Sequence, residues 1–183
     1  MSGTFFWKFT FNVFHIDQCE GITAKHTAMV EHSAEADAAA EAIIAEYVKR
    51  EGVTLEHHEG DAAFYQPAAD RIVLPLLRQF SETAEYYSTA FHEMVHSTGH
   101  MKRLARLDST ANFGGEEYSK EELVAEIGSA ALVNHAGLET AKSFRNSAAY
   151  CQNWLQALKN DKRFIVSAAS KADKAVNYIL TGQ

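Results

Sequence analysis

The segment His92-Glu93-Met94-Val95-His96 constrains this chain more than any other stretch of it. Tyr87, Phe91, Met94 and Val95 recur at the spacing of one helical face, so the segment is predicted to lie on an amphipathic helix. Side chains four apart on a helix stand one above the other, and the two histidines share a face that the apolar stripe leaves clear. Two imidazoles at that spacing can reach a single metal ion, while Glu93 beside them can reach water at the ion. Zinc suits this chemistry: it lowers the pKa of its water toward about 7, and a carboxylate can take the proton as that water attacks a carbonyl. The expectation is one zinc ion per chain, held by His92 and His96, with Glu93 as general base of peptide hydrolysis.

A tetrahedral catalytic zinc takes three protein ligands and keeps one position open. His100 continues the histidine spacing, but Gly99 is expected to end the helix before it. The longer metzincin pattern requires a histidine at position 102, where this chain has Lys102, and it fails there. A second predicted helix starts at Ser119 and runs through Leu123, Ile127, Ala130 and Ala131 to Gly137. On it Glu122 and Glu126 again stand four apart. The pair resembles the gluzincin arrangement, in which a glutamate on a downstream helix is the third ligand and an acidic residue four positions on steadies a ligand histidine. That resemblance implies Glu122 as ligand, with Glu126 and His100 as alternatives. A capping box opened by Ser119 is the competing role for Glu122.

Before the motif the chain is β-rich, and after it helical. Residues 5–16 alternate as a strand, and the Ala-rich residues 34–50 read as a helix stopped by Gly52. Three short β-type runs follow at 53–58, 62–66 and 71–74, the last two joined as a hairpin by Pro67-Ala68-Ala69-Asp70. Pro75 suits an edge position. Arg71, Ile72, Val73 and Leu74 are therefore expected to form an edge strand, and the likeness to zincins, which place such a strand beside the motif helix, implies that an extended peptide substrate adds there as another strand. Ser81 is the expected N-cap of the motif helix, and two further helices are expected over residues 147–159 and 162–180. A small mixed sheet followed by a helical half is an α+β order, here of the zincin kind.

At 183 residues and 46% hydrophobic, the chain can bury one sizeable core, so a single domain over 1–183 is expected. A net charge of −7 argues against tight nucleic-acid binding by this chain, because such binders carry a basic footprint. The one basic cluster, Lys102, Arg103 and Arg106, reads as a solvated turn. No apolar run approaches a membrane span or a signal peptide. Cys19 and Cys151 have no metal-type or disulfide-type spacing, and a reducing cytoplasm is the expected location. His57 and His58 read as the surface end of a β run, and His135 as a cation at a helix C-terminus. Tyr118, Tyr65 and His100 are the weak candidates for stabilising an oxyanion.

With these residues in hand, the chain resembles the metallopeptidase domain of ArdC-type antirestriction proteins, related to domains in polyvalent proteins of plasmids and phages. The likeness runs through Val13–Gly21, Ala63-Phe64-Tyr65 to Asp70-Arg71-Ile72, Tyr86-Tyr87, His92–Arg103, Phe113-Gly114, Glu121–Gly128, Ala148-Ala149-Tyr150, Trp154 and Asp161-Lys162-Arg163. It implies a host-directed or DNA-associated peptidase. Such proteins place a single-stranded-DNA-binding domain before this region, and residues 1–20 are expected to correspond to that junction.

Overall fold

The computed structural model describes residues 38–107, 116–138 and 162–183, all within one compact unit. The strand expected over 5–16, the helix over 147–159 and both cysteines lie outside them. Four helices and three strands are present among the described residues. In chain order they are α1 (Ala38–Glu51), β1 (Thr54–His58), β2 (Phe64–Gln66), β3 (Arg71–Pro75), α2 (Thr83–Thr98), α3 (Glu116–His135) and α4 (Lys162–Thr181). The α+β class read from the sequence is the one observed.

Helix α1 stops where Gly52 takes a φ of 66°, a left-handed conformation that costs glycine little. The expected hairpin is present: β2 and β3 pair antiparallel, and a 3-10 turn over Pro67–Ala69 joins them. Asp70 closes that turn in the left-handed region, which aspartate tolerates better than most residues. Its carboxylate also accepts a hydrogen bond from the Tyr65 hydroxyl at 2.7 Å.

The sheet order corrects one expectation. β3 lies in the centre, parallel to β1 and antiparallel to β2, so Arg71, Ile72, Val73 and Leu74 offer no free edge. Ile72 through Pro75 are all buried. An unbroken apolar run is what a strand covered on both faces carries, and here that signal outweighs the proline. Pro75 is tolerated because it pairs at the very end of the ladder, opposite His58.

Helix α2 is the hub, packing against β2, β3, α1, α3 and α4. Its stripe of Tyr87, Phe91, Met94 and Val95 is fully buried, as its spacing requires. Large side chains from every side meet it: Tyr47 from α1, Ile72 and Leu74 from β3, Leu123 and Leu132 from α3, and Ile179 from α4. Each apolar side chain of this size contributes about 1.5–3 kcal/mol when fully buried. The helix begins at Thr83 without a side-chain cap, while the Ser81 hydroxyl donates to the Glu85 carboxylate at 2.6 Å instead. At its far end Gly99 is needed for room rather than for a left-handed turn. Its φ is −73°, but a Cβ there would stand 2.8 Å from Leu107 Cγ.

Helix α3 crosses α2 closely because Gly128 has no side chain: a Cβ would meet Val95 Cγ2 at 2.8 Å. Ser129 secures the crossing by donating to the Ser88 carbonyl at 2.7 Å. Ser119 lies inside α3, which starts at Glu116, so the capping-box role for Glu122 falls away. Ala130 and Ala131 are exposed, whereas Leu132 and Val133 beside them lie in the core. No helix among the described residues is long and apolar enough to cross a membrane.

Candidate metal centre

His92 and His96 occupy one face of α2, turned toward α3. Their Nε2 atoms stand 3.1 Å apart. Glu122 reaches across from α3, with one oxygen 3.3 Å from His96 Nε2 and the other 3.6 Å from His92 Nε2. These three side chains form the one group of histidine and acidic donors among the described residues with the convergence an ion needs. Ligand atoms about 2.0–2.1 Å from a tetrahedral zinc would stand roughly 3.3 Å from one another, close to the spacing found. Three donors from one side would leave a tetrahedral ion one position for water.

The other ring nitrogens face outward to separate carboxylates. His92 Nδ1 lies 3.4 Å from Glu126, and His96 Nδ1 lies 3.6 Å from Glu121. With an ion bound, such partners would hold the Nδ1 protons and leave each inward Nε2 to donate its lone pair. Glu126, expected either to steady a ligand histidine or to be the alternative ligand, stands beside His92 Nδ1 and outside the group of three. Glu121 was not foreseen, although it precedes Glu122 and a helix puts adjacent residues only 100° apart. His100 is not in the group; its Nδ1 accepts the backbone N–H of Lys102 at 3.1 Å, beyond the end of α2.

The charges call for a cation. Burial pushes His92 down, but Glu122 and Glu126 outweigh it and hold the imidazole at about 10. Burial likewise lowers His96, and Glu121 and Glu122 raise it on balance. Burial raises Glu122, yet the two imidazoles pull it well below the usual carboxylate range. Glu93 is 7% exposed, and there burial wins, holding its carboxyl above the usual range despite both histidines. A pocket with four carboxylates about two imidazoles suits a divalent ion.

The loop after α2 supplies the largest surprise. Lys102 is 74% exposed, but the Arg103 and Arg106 side chains are only 2% and 9% exposed, so the solvated-turn reading fails for both arginines. Arg103 forms an ion pair with Asp70, donates to the Tyr65 hydroxyl at 3.1 Å and donates to the Ser97 carbonyl at 2.7 Å. Arg106 donates to Glu121 at 2.8 Å, to Thr98 Oγ1 at 2.8 Å and to the Val95 carbonyl at 2.8 Å. Neither role has a local sequence signal, because both partners are distant in the chain. The Tyr65 hydroxyl is committed to this network, which removes it as an oxyanion donor. Tyr118's side chain lies outside the described atoms.

Comparison with known proteins agrees with the geometry. Residues 38–171 match the family model described as a zincin-like metallopeptidase. A protein of Escherichia coli named DNA primase TraC is 41% identical over 133 residues, which is 73% of this chain but 9% of that relative. The Mn(II)-bound crystal structure of the antirestriction protein ArdC from plasmid R388 superposes with a TM-score of 0.63 at 36% identity, covering 81% of this chain and 54% of ArdC. Its metal-free form gives a TM-score of 0.62 at 35% identity, covering 91% of this chain and 58% of ArdC. The chain thus spans little more than half of ArdC and a small part of TraC. With a family match across most of its length, the chain belongs to the zincin-like metallopeptidases.

Proposed function

We propose that this chain is a zinc-dependent peptidase in which His92, His96 and Glu122 hold the ion and Glu93 is the general base. One observation carries the reading: both Nε2 atoms and a Glu122 oxygen converge, while each Nδ1 is turned to a carboxylate of its own. ArdC was crystallised with Mn(II). For this donor set zinc is the stronger choice, since affinity at nitrogen and oxygen sites rises from Mn²⁺ to Zn²⁺.

When bound, the ion supplies Lewis acidity and makes water acidic near neutral pH. The chain's own residues do the rest. Glu93 takes a proton from water and passes it to the departing amine. Glu126 and Glu121 keep both imidazoles aimed inward. An extended peptide is expected to lie along β2, which is an edge of the sheet among the described residues and packs against α2. The relatives' names, antirestriction and DNA primase, support a substrate among DNA-associated proteins. They also favour a second reading, in which the fold binds such a partner and cleaves nothing.

Elemental analysis of protein purified without added metal should find zinc near one equivalent. His92→Ala should lose it, and Glu93→Gln should keep it. Against a peptide library, Glu93→Gln should bind the selected peptides but cut them about 10²–10⁴ times more slowly. Cleavage that survives both this mutation and a zinc chelator would sink the mechanism. A zinc-loaded wild type that binds peptides and cuts none would favour the binding reading.

A further inference from the structure

We propose that Arg106 is a positioning residue for the metal centre, holding Glu121 so that Glu121 in turn fixes His96. The inference rests on the reading of His96 as a metal ligand. Arg106 comes from the loop after α2 and turns back under the end of that helix. Two of its guanidinium nitrogens contact the two oxygens of Glu121, at 2.8 Å and 3.3 Å. The same group donates to the Val95 carbonyl, one residue before His96, and to the buried hydroxyl of Thr98. Thr98 in turn donates to that carbonyl at 2.6 Å.

The guanidinium is therefore tied to α2 beside His96 and to the carboxylate that faces His96 Nδ1 at 3.6 Å. A two-point contact with a rigid planar fork sets the rotation of the carboxylate as well as its position. The loop is locked in place to deliver it. The Gly99 carbonyl accepts the backbone N–H groups of both Arg106 and Leu107 at 2.9 Å, and a side chain at Gly99 would stand 3.3 Å from the Arg106 guanidinium. Arg103, on the same loop, makes a natural control. It is buried as deeply and paired with a carboxylate, but Asp70 leads to the β2–β3 turn and to neither ligand histidine.

The test measures Zn²⁺ affinity by competition with a chromophoric chelator, beside the NMR signal of the His96 Nδ1 proton in zinc-loaded protein. Arg106→Met should weaken zinc binding about 10–100-fold, as expected when a partner of a ligand histidine is lost. The Nδ1 proton, shifted downfield and slow to exchange in the wild type, should be lost. Arg106→Lys should recover part of both. Arg103→Met should keep the affinity and the proton even where it lowers stability. Should Arg106→Met fail to fold, Glu121→Gln leaves the arginine's bonds to α2 in place and should still weaken zinc binding and disturb the proton. Wild-type affinity with the Nδ1 proton retained, in Arg106→Met or in Glu121→Gln, overturns the assignment alone. A wild type that takes up no zinc overturns the metal reading, and this assignment with it.

Discussion

Arg103 and Arg106 leave one loop three positions apart, and both bury a guanidinium against a carboxylate, yet they secure opposite sides of α2. Arg103 ties the helix end to the sheet through Asp70 and Tyr65. Arg106 ties it to α3 through Glu121. Each also takes a carbonyl near the end of α2, Ser97 for one and Val95 for the other. The residue chemistry is nearly the same on the two sides. What differs is the next contact of the carboxylate: a turn on one side, an imidazole on the other. A buried ion pair acquires a part in a site through its neighbours, and the pair alone does not reveal it.

The largest expected effect is on the sheet side. Removing one partner of a buried pair leaves an uncompensated charge, at a cost of about 3–5 kcal/mol. Urea unfolding of Arg103→Met should show a loss of that order. If the loss is small, the Asp70 clamp is not holding the hairpin to α2.

The second difference is in pH dependence, measured on chelator-treated protein from about pH 3 to pH 10. Burial raises Asp70, but Arg103 and Tyr65 outweigh it and hold its carboxyl below the unfolded value of about 3.9. Its contribution is present at neutral pH and is lost as pH falls below about 4. The histidine side should lose stability in both directions. In acid, Glu121 and Glu122, also held low, become protonated. In alkali, His92, raised to about 10, gives up its charge; its contribution is full below the unfolded value of about 6.5 and is lost as pH rises toward the folded one. Asp70→Asn should shrink the acid limb and leave the alkaline limb alone. Because zinc binds neutral imidazoles, its affinity should rise with pH over the same range. An affinity that does not change with pH would contradict the charge state of the histidines.

Smaller still is Gly99→Ala, whose added methyl would press on Leu107 and approach the Arg106 guanidinium. Overpacking of this kind costs about 1–3 kcal/mol. Zinc affinity should fall with it, since the strain lies on the Arg106 side. The smallest pair sharpens the comparison most. Thr98→Val and Ser97→Ala each remove a buried hydroxyl from α2, for a net cost of roughly 1 kcal/mol. The Thr98 hydroxyl accepts from Arg106, whereas the Ser97 hydroxyl meets Tyr47 at 2.7 Å. Only Thr98→Val should disturb zinc binding. Equal effects on zinc would mean that the two sides of α2 are not separable.

The sequence by itself determined what depends on neighbours within a turn or two of chain. His92, Glu93 and His96 share a helical face because of their spacing, and Tyr87, Phe91, Met94 and Val95 bury the opposite one. Glu122 and Glu126 stand one turn apart on the next helix, and the likeness of that pair to the gluzincin arrangement implied them as partners for a histidine pair. The β2–β3 hairpin was written in Pro67-Ala68-Ala69-Asp70, and the α+β order in the succession of periods. Tertiary structure decided the rest, because it depends on contacts between residues distant in the chain. Whether Arg71–Leu74 forms an edge or a centre is settled by β1, which arrives from before the hairpin and pairs with β3 in parallel. That Glu121 joins the site depends on how closely α3 crosses α2, a distance set by the missing side chain of Gly128 against Val95. Arg103 and Arg106 stand in a polar stretch that reads as solvated. They are buried because Asp70 and Glu121, 33 and 15 residues away, compensate their charge in the fold. A guanidinium leaves water only where such a partner waits, and no local pattern records where the partner will be.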